Sequence, residues 1–383
     1  MEFTEKNLKI AFLTAEDPKN KSSWSGTNYS IARALEKHCG DVQYIGPINT
    51  NVNKITGLLN RLSLLITKKG YEGGHSTLLS KRYAQIIKKR ISKQDIDLIF
   101  APAASAEIAY LETEIPVIYI SDTTFHLLQN YYGDLSNVRD VSLREGNKIE
   151  KKAIKKSVLL IYSSRWAAES AIKDYGADES KVHVLPFGAN IEYVPLQEEV
   201  FKKKRSDKCR LLFLGVDWER KGGSIAFDAL LELEKLGVES ELTVCGCVPP
   251  EEFKHESLMV IPFLDKNDEK QGRELNQLFL ENDFLILPTR GDCTPVVFCE
   301  ANAFGLPVIT TDTGGISSVI CNGKNGYMLP LDAGGKDFAQ IILEVYSDDE
   351  IYSKLIESSR KTFDESLNWD VWAIEVKKLI KNL

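Results

Sequence analysis

The chain has 383 residues, 43% hydrophobic and 27% charged, which is enough to bury two cores of ordinary domain size. A net charge of -7 argues against a general nucleic-acid binder, whose affinity would come from neutralising many phosphates. The opening MEFTEKNLKIAFLT has no apolar signal core, and no apolar run reaches bilayer-spanning length, so a cytoplasmic protein that is neither secreted by that route nor membrane-spanning is expected.

The first apolar run, Leu8 to Leu13, predicts a strand, and Ser25-Gly26-Thr27 then leads into an amphipathic helix over Tyr29 to Lys37. A second strand is expected at Val42 to Ile45. From Lys54 to Lys93 ten Lys/Arg stand against a single acid, Glu72, and Gly57 to Ile66 (GLLNRLSLLI) is apolar with one Arg. That segment fits a helix in an anionic membrane interface and equally a core-facing helix with a solvated basic flank. Strands follow at Ile96 to Phe100, Val117 to Ile120, Val158 to Tyr162 and Val182 to Leu185. Asp122, Thr123 and His126 trail the fourth of these runs, and Ser163-Ser164-Arg165-Trp166 trails the fifth.

Pro186 to Arg205 (PFGANIEYVPLQEEVFKKKR) has the prolines and like-charge block of a connector. A second series of strands is expected at Leu211 to Leu214, Glu241 to Val244, Val260 to Phe263, Phe284 to Leu287 and Pro307 to Thr310. The resulting division is residues 1–190, a linker over 191–206, a second domain over 207–365 and a last helix over 366–383, whose apolar face carries Trp369, Trp372, Val376 and Leu379. Short strands alternating with amphipathic helices predict an α/β architecture, two doubly wound parallel sheets of Rossmann-like form. The seven cysteines, an odd number, follow no disulfide or zinc spacing and point to a reducing cytoplasm. Cys245-Gly246-Cys247 reads as small buried residues at a strand end.

The stretch Leu285 to Ile320 (LILPTRGDCTPVVFCEANAFGLPVITTDTGGISSVI) carries the chemistry. A strand ends at Pro288, and Thr294-Pro295 predicts a helix start with Thr294 as cap and Pro295 in the first helical position. Amides around Val296 and Val297 can hold a diphosphate, and Glu300, one turn deeper, can accept from ribose hydroxyls. Asp292, with seven residues between it and Glu300, can grip a sugar hydroxyl. Thr313-Gly314-Gly315 supplies a second turn where backbone can approach a ligand.

Pro288, Glu300, Ala301, Ala303, Gly305, Pro307, Val308, Ile309, Gly314 and Gly315 fall without a gap on the block that marks glycosyltransferase family 4, which this sequence resembles. The resemblance implies a GT-B fold: two such domains facing across a cleft, with the last helix crossing back to the N-terminal one. It further implies a nucleoside-diphosphate-sugar donor (UDP-, GDP- or ADP-sugar), retention of anomeric configuration, and no cofactor or obligatory metal. Glu300 falls where the family holds the donor ribose, and Asp292 falls where a Glu contacts the transferred sugar.

A second family signature pairs an Arg and a Lys on the donor phosphates. In Leu214 to Gly223 (LGVDWERKGG), Lys221 keeps its place while Val216 occupies the Arg position, and Arg220 is the candidate replacement. Gly26 resembles the glycine of the family's first loop near the donor phosphate, and also suits a plain helix-start turn. Asp122 is a candidate for positioning an acceptor hydroxyl. His126 lies near a functional His of relatives, and a surface or packing histidine accounts for it equally.

The expected function is retaining hexosyl transfer to a glycan or lipid-linked oligosaccharide in cell-surface polysaccharide assembly, with the basic region available to an anionic membrane surface on its inner face. The alternatives are a GT-B sugar-nucleotide epimerase or hydrolase, and a non-catalytic sugar-nucleotide-binding protein motivated by Asp292 and Val216. A dinucleotide oxidoreductase is disfavoured because no G-x-G-x-x-G turn follows either first strand.

Overall fold

The alternation of short apolar runs and longer amphipathic stretches becomes, in the computed structural model, two six-stranded sheets in which every pairing is parallel. The structure describes residues 7–383 apart from Asn130 and Ser206; Ser206 is the last residue of the expected linker. The chain divides into two compact units, one comprising residues up to Leu185 together with Trp372–Leu383, the other Pro186–Val371.

In the first unit the chain runs β1 (Leu8–Phe12), α1 (Thr27–His38), β2 (Gly40–Tyr44), α2 (Val52–Thr67), α3 (Thr77–Ile91), β3 (Leu98–Pro102), α4 (Ser105–Ile108) and β4 (Val117–Ser121). It continues through α5 (Phe125–Leu128), α6 (Asp140–Lys156), β5 (Leu159–Tyr162), α7 (Arg165–Lys173) and β6 (Val182–Val184). Strand order is β2-β1-β3-β4-β5-β6. The chain therefore moves outward from β1 to β2 and returns to the other side of β1 at β3. Ligands of such sheets bind outside the carboxyl ends of the strands at that reversal.

The second unit runs α8 (Gln197–Phe201), β7 (Cys209–Leu214), α9 (Gly223–Lys235), β8 (Ser240–Cys245), β9 (Leu258–Ile261), α10 (Glu269–Glu281) and β10 (Phe284–Leu287). There follow α11 (Val296–Ala303), β11 (Val308–Thr311), β12 (Gly326–Leu329), α12 (Gly335–Tyr346), α13 (Asp349–Ser366) and α14 (Trp369–Lys381). The order β12-β11-β10-β7-β8-β9 puts its reversal between β7 and β10. Phe213, Phe279, Phe284, Phe298, Phe304 and Phe338 fill the core around these strands.

The structure departs from the sequence-based expectations at several elements. The strand expected at Val260 to Phe263 lies two residues earlier, as β9, because it is an edge strand whose Val260 and Phe263 are exposed and give no burial signal. β12 was not anticipated; four residues with a leading glycine carry too little pattern. The linker is not free of core: α8 buries Val200, which lies over Gly305.

The last helix begins at Trp369 rather than Ser366, because Asn368 ends α13 by donating to the Phe363 carbonyl (2.8 Å) and starts α14 by accepting from the Val371 amide (2.9 Å). Its buried residues are Trp372, Ala373, Val376 and Ile380, whereas Leu379 is half-exposed. Trp372 meets Phe100 edge-on in the first unit, and Trp369 packs beside Phe187 in the second.

The basic region also departs from one of its two readings. α3 turns Leu79, Tyr83, Ile87 and Ile91 into the core and Lys81, Arg82, Lys88 and Lys89 outward, but α2 buries only Thr56 and Ser63. Its leucines face out, so the core-facing reading of Gly57 to Ile66 is set aside.

At the reversal of the first sheet, Glu107 of α4 is buried and accepts from the Ala15 amide (3.2 Å) just past β1. Burial pushes its carboxyl up from 4.5 to about 7. Between those values the folded chain holds a proton that the unfolded chain has released. The contribution to stability is therefore complete below about pH 4.5 and is lost as pH rises through about 7. We expect Glu107→Gln to flatten the fall in Tm between pH 5 and pH 8 relative to the parent chain; parallel melting curves across that window would refute the assignment.

Candidate functional site

The reversal point of the second sheet is where the motif residues converge. The loop from β7 to α9 and the loop from β10 to α11 leave adjacent strand ends and are stitched together: the Arg290 amide donates to the Arg220 carbonyl (2.7 Å), and the Thr289 hydroxyl donates to the same carbonyl (3.2 Å). Trp218 anchors the first loop in the core between Phe213 and Phe253. A side chain at Gly215 would meet the Lys221 stem at 2.9 Å, so the glycine makes room for the lysine to turn back over the strand end.

Lys221 donates to both carboxylate oxygens of Asp292, at 2.9 and 2.7 Å. The Asp292 side chain is 10% exposed and that of Lys221 12%, so water screens the pair little. Arg220 lies beside the same carboxylate, its Nη1 3.7 Å from Oδ1, while donating to the Gly291 carbonyl at 3.0 Å. Val216, in contrast, is 70% exposed. Two cations thus meet at one acid. The Gly315 amide donates to the Asp292 carbonyl at 3.3 Å, which draws the Gly314-Gly315 turn after β11 against the same loop; Gly314 has φ 55°.

Helical geometry begins at Val296, with Pro295 in the cap position, one residue later than Thr294-Pro295 predicted. The Thr294 hydroxyl donates to the Cys293 carbonyl at 2.8 Å rather than closing the helix start. The amides of Val296 and Val297 belong to the first turn, which has no intrahelical acceptors. Glu300, one turn on, is 2% exposed. Its Oε1 takes a hydrogen bond from Lys266 Nζ at 2.6 Å. Lys266, in the loop between β9 and α10, escaped sequence reading, since the only hint was its place after a strand.

In the first unit the residues after β1 adopt consecutive left-handed conformations, Trp24 (φ 46°), Ser25 (φ 57°) and Gly26 (φ 89°), ending with Gly26 as the cap of α1. Only the last is a glycine. Such strain persists where surrounding structure imposes it. Trp24 Nε1 donates to Asp122 at 3.3 Å, so the Gly26 loop and Asp122 are brought together. Ala103, just past β3 and so at the same sheet edge, is left-handed as well (φ 47°). His126 stands apart: its ring is on the exposed side of the four-residue α5, and its amide donates to the Tyr175 hydroxyl (2.8 Å). Ser164 caps α7 through the Ala167 amide (3.2 Å), and Trp166 packs on the core beside Tyr131. Glu107 is the group in this unit that sequence reading missed.

Comparison with known proteins gives the same two-part division. Residues 208–348 match the family described as "Glycosyl transferases group 1", and residues 27–193 match "Glycosyltransferase Family 4". Among curated proteins, the chain is 23% identical over 210 residues to a D-inositol 3-phosphate glycosyltransferase of Paenarthrobacter aurescens, covering 52% of this chain and 51% of that one. The match thus spans about half the length of that relative. Among solved structures, sucrose-phosphate synthase from Thermosynechococcus elongatus superposes with a TM-score of 0.70 at 14% identity, over 98% of this chain and 99% of that one. The Anabaena protein Alr3699/HepE, solved with UDP and glucose, gives 0.63 at 15% identity, over 98% and 100%.

Gly222 tests how tightly the two loops are held. It has φ 76°, and a Cβ there would lie 2.0 Å from the Pro288 carbonyl oxygen, whereas Gly237 has φ 81° with no atom within 4 Å of its Cβ position. Gly237→Ala should cost about 1 kcal/mol, the conformational term alone. Gly222→Ala should cost at least about twice that, because the loops must part. Equal losses in urea unfolding would show that the contact is slack.

Proposed function

We propose that this chain, which belongs to the group 1, family 4 glycosyltransferases and has the GT-B fold, moves a hexose from a nucleoside-diphosphate sugar to a glycan or lipid-linked oligosaccharide with retention of configuration. The observation that carries the reading is the convergence of Lys221 and Arg220 on Asp292 at the reversal of the second sheet. First-turn amides of α11 and the buried Glu300 stand on the neighbouring loop and helix. Departure of a nucleoside diphosphate builds negative charge on the leaving oxygen while the sugar becomes oxocarbenium-like. Fixed cations and amides there lower the barrier without reorganising.

In this reading Lys221 and Arg220 take the diphosphate, Arg220 standing in for the cation missing at Val216, and no obligatory metal is called for. Asp292 orients the transferred sugar. Glu300 accepts from the ribose, which requires Lys266 to yield one of the carboxylate's lone pairs or to share it. Asp122 and the strained Gly26 loop are the candidates for placing the acceptor. A role in cell-surface polysaccharide assembly suits such an acceptor, and the cytoplasmic face of a membrane is where a lipid-linked one would be met.

The UDP and glucose bound to the Anabaena neighbour make UDP-glucose the first donor to try. In a thermal-shift panel of UDP-, GDP- and ADP-sugars, one class should raise Tm, and Glu300→Ala should abolish the rise. No shift with any donor would remove the site. A shift with nucleotide release or epimer formation but no transfer to any acceptor would favour the epimerase or hydrolase reading, and a shift without turnover a binding protein.

Lys221→Ala is expected to lower kcat on the order of a hundredfold or more. Arg220→Ala should fall by a comparable factor; unchanged turnover in the Arg220 variant would make that residue a spectator and leave the phosphates to Lys221.

A further inference from the structure

The helix α2 is built inside out. Its inward side is polar: Thr56 and Ser63 are its buried residues, the Ser63 hydroxyl donates to the Lys69 carbonyl (2.8 Å), and Asn60 accepts from the Tyr71 amide (2.8 Å). The chain just beyond is pinned by the Gly70 amide donating to Asn137 (2.7 Å) and by Asn137 Nδ2 donating to the Lys68 carbonyl (3.0 Å). These bonds hold the helix by its polar side and leave the apolar one out.

Ile55, Leu58, Leu59, Leu62, Leu65 and Ile66 recur at helical spacing and form one outward stripe, each of them at least 41% exposed and Ile66 78%. Six large aliphatic side chains in a row make a contiguous patch of the kind that marks an interaction surface rather than ordinary surface.

Charge decides what that surface meets. Lys54 and Arg61 stand on α2 itself, Lys68 and Lys69 at its C-terminal end, and Arg139 beside Gly70; all five are exposed. The one acid of the segment, Glu72, is turned inward, accepting from the Gly74 amide (2.8 Å) with His75 at 3.6 Å. An apolar stripe with a cationic border and no acid between Val52 and Tyr71 suits the boundary between acyl chains and anionic headgroups.

We propose that α2 lies in the interface of an anionic bilayer, its aliphatic stripe immersed and Lys54, Arg61, Lys68 and Lys69 on the headgroups. At 16 residues with two cations of its own, α2 lies on the membrane rather than across it; among the described residues no helix is long and apolar enough to span one. The proposal deepens the membrane-linked part of the function above, and vesicle binding does not depend on which sugar is moved, so either can fail alone.

The test is co-sedimentation with vesicles of phosphatidylcholine alone and of phosphatidylcholine mixed with phosphatidylglycerol, at low and high salt. The full chain should bind the anionic vesicles, and salt should weaken the binding. Exchanging Lys54, Arg61, Lys68 and Lys69 for Glu should cost at least about fivefold in partitioning per position, while Leu58→Ser with Leu62→Ser and Leu65→Ser should abolish binding to the anionic vesicles. These positions are exposed, so both variants should keep the parent's Tm and its donor-induced shift. Absent vesicle binding, or binding untouched by the charge reversal, would overturn the proposal. So would a dimer by light scattering that the serine variant makes monomeric in the absence of vesicle binding, because the stripe would then belong to a second copy.

Discussion

The contact between Lys221 and Asp292 is the constraint on which the second unit's candidate site depends. Taking two charges out of water costs several kcal/mol per ion, and their attraction returns that only with good geometry. The geometry here is bidentate and nearly buried. It is obtained by bringing together two loops from opposite sides of a topological reversal, with a glycine at 215 so that the lysine stem can fold back and another at 222 so that the backbones can touch. Packed aliphatic residues would hold two loops together at lower cost. What they could not supply is a fixed positive charge at the carboxyl edge of the sheet.

The same economy extends outward from that pair. Glu300 is more deeply buried than Asp292 and is held by Lys266 from the loop after the edge strand β9, three strands from β10. Removing either lysine takes a charged partner from a nearly buried carboxylate, so each cation aims an acid as well as offering charge to a ligand. The first unit reaches a comparable arrangement by other means. At its reversal the backbone itself is strained at Trp24 and Ser25 and again at Ala103, and a buried carboxyl, Glu107, accepts from the Ala15 amide just past β1. In both sheets the unfavourable features gather at the edge where topology permits ligands.

That pattern explains which parts of the molecule were legible in the sequence. Strands such as Phe284–Leu287 are continuous apolar runs buried on both sides, and their positions follow from composition alone. The edge strands β9 and β12 are half-exposed and lack that signal. Lys221, Asp292 and Glu300 could be picked out because they lie in dense local motifs, and Arg220 because it adjoins one. Lys266 and Glu107 could not be, because each acts through a contact distant in sequence, 34 residues for Lys266 to Glu300 and 92 for Ala15 to Glu107. The break at Asn368 escaped for a related reason: one side chain serves two helices, and its residue type alone says only that a cap is possible.

The orientation of α2 is the case where periodicity was present and insufficient. A stripe of aliphatic residues fixes which side of a helix is apolar but not on which side the protein lies. The deciding information was in the residues between: Thr56, Asn60, Ser63 and Thr67 also repeat at helical spacing, and each can bond to backbone. A helix with two coherent faces, one aliphatic and one of small polar residues, can dock by either. Here the loop at Lys68–Tyr71 takes the polar one, because its backbone amides and carbonyls need partners that leucines cannot give. The aliphatic side then contributes little to holding the helix in place, and its exposure to water is a cost that nothing among the described residues of the first unit offsets. A surface that removes that cost and also matches the cations beside it has to be apolar and anionic at once, and those two properties meet at the headgroup layer of a membrane.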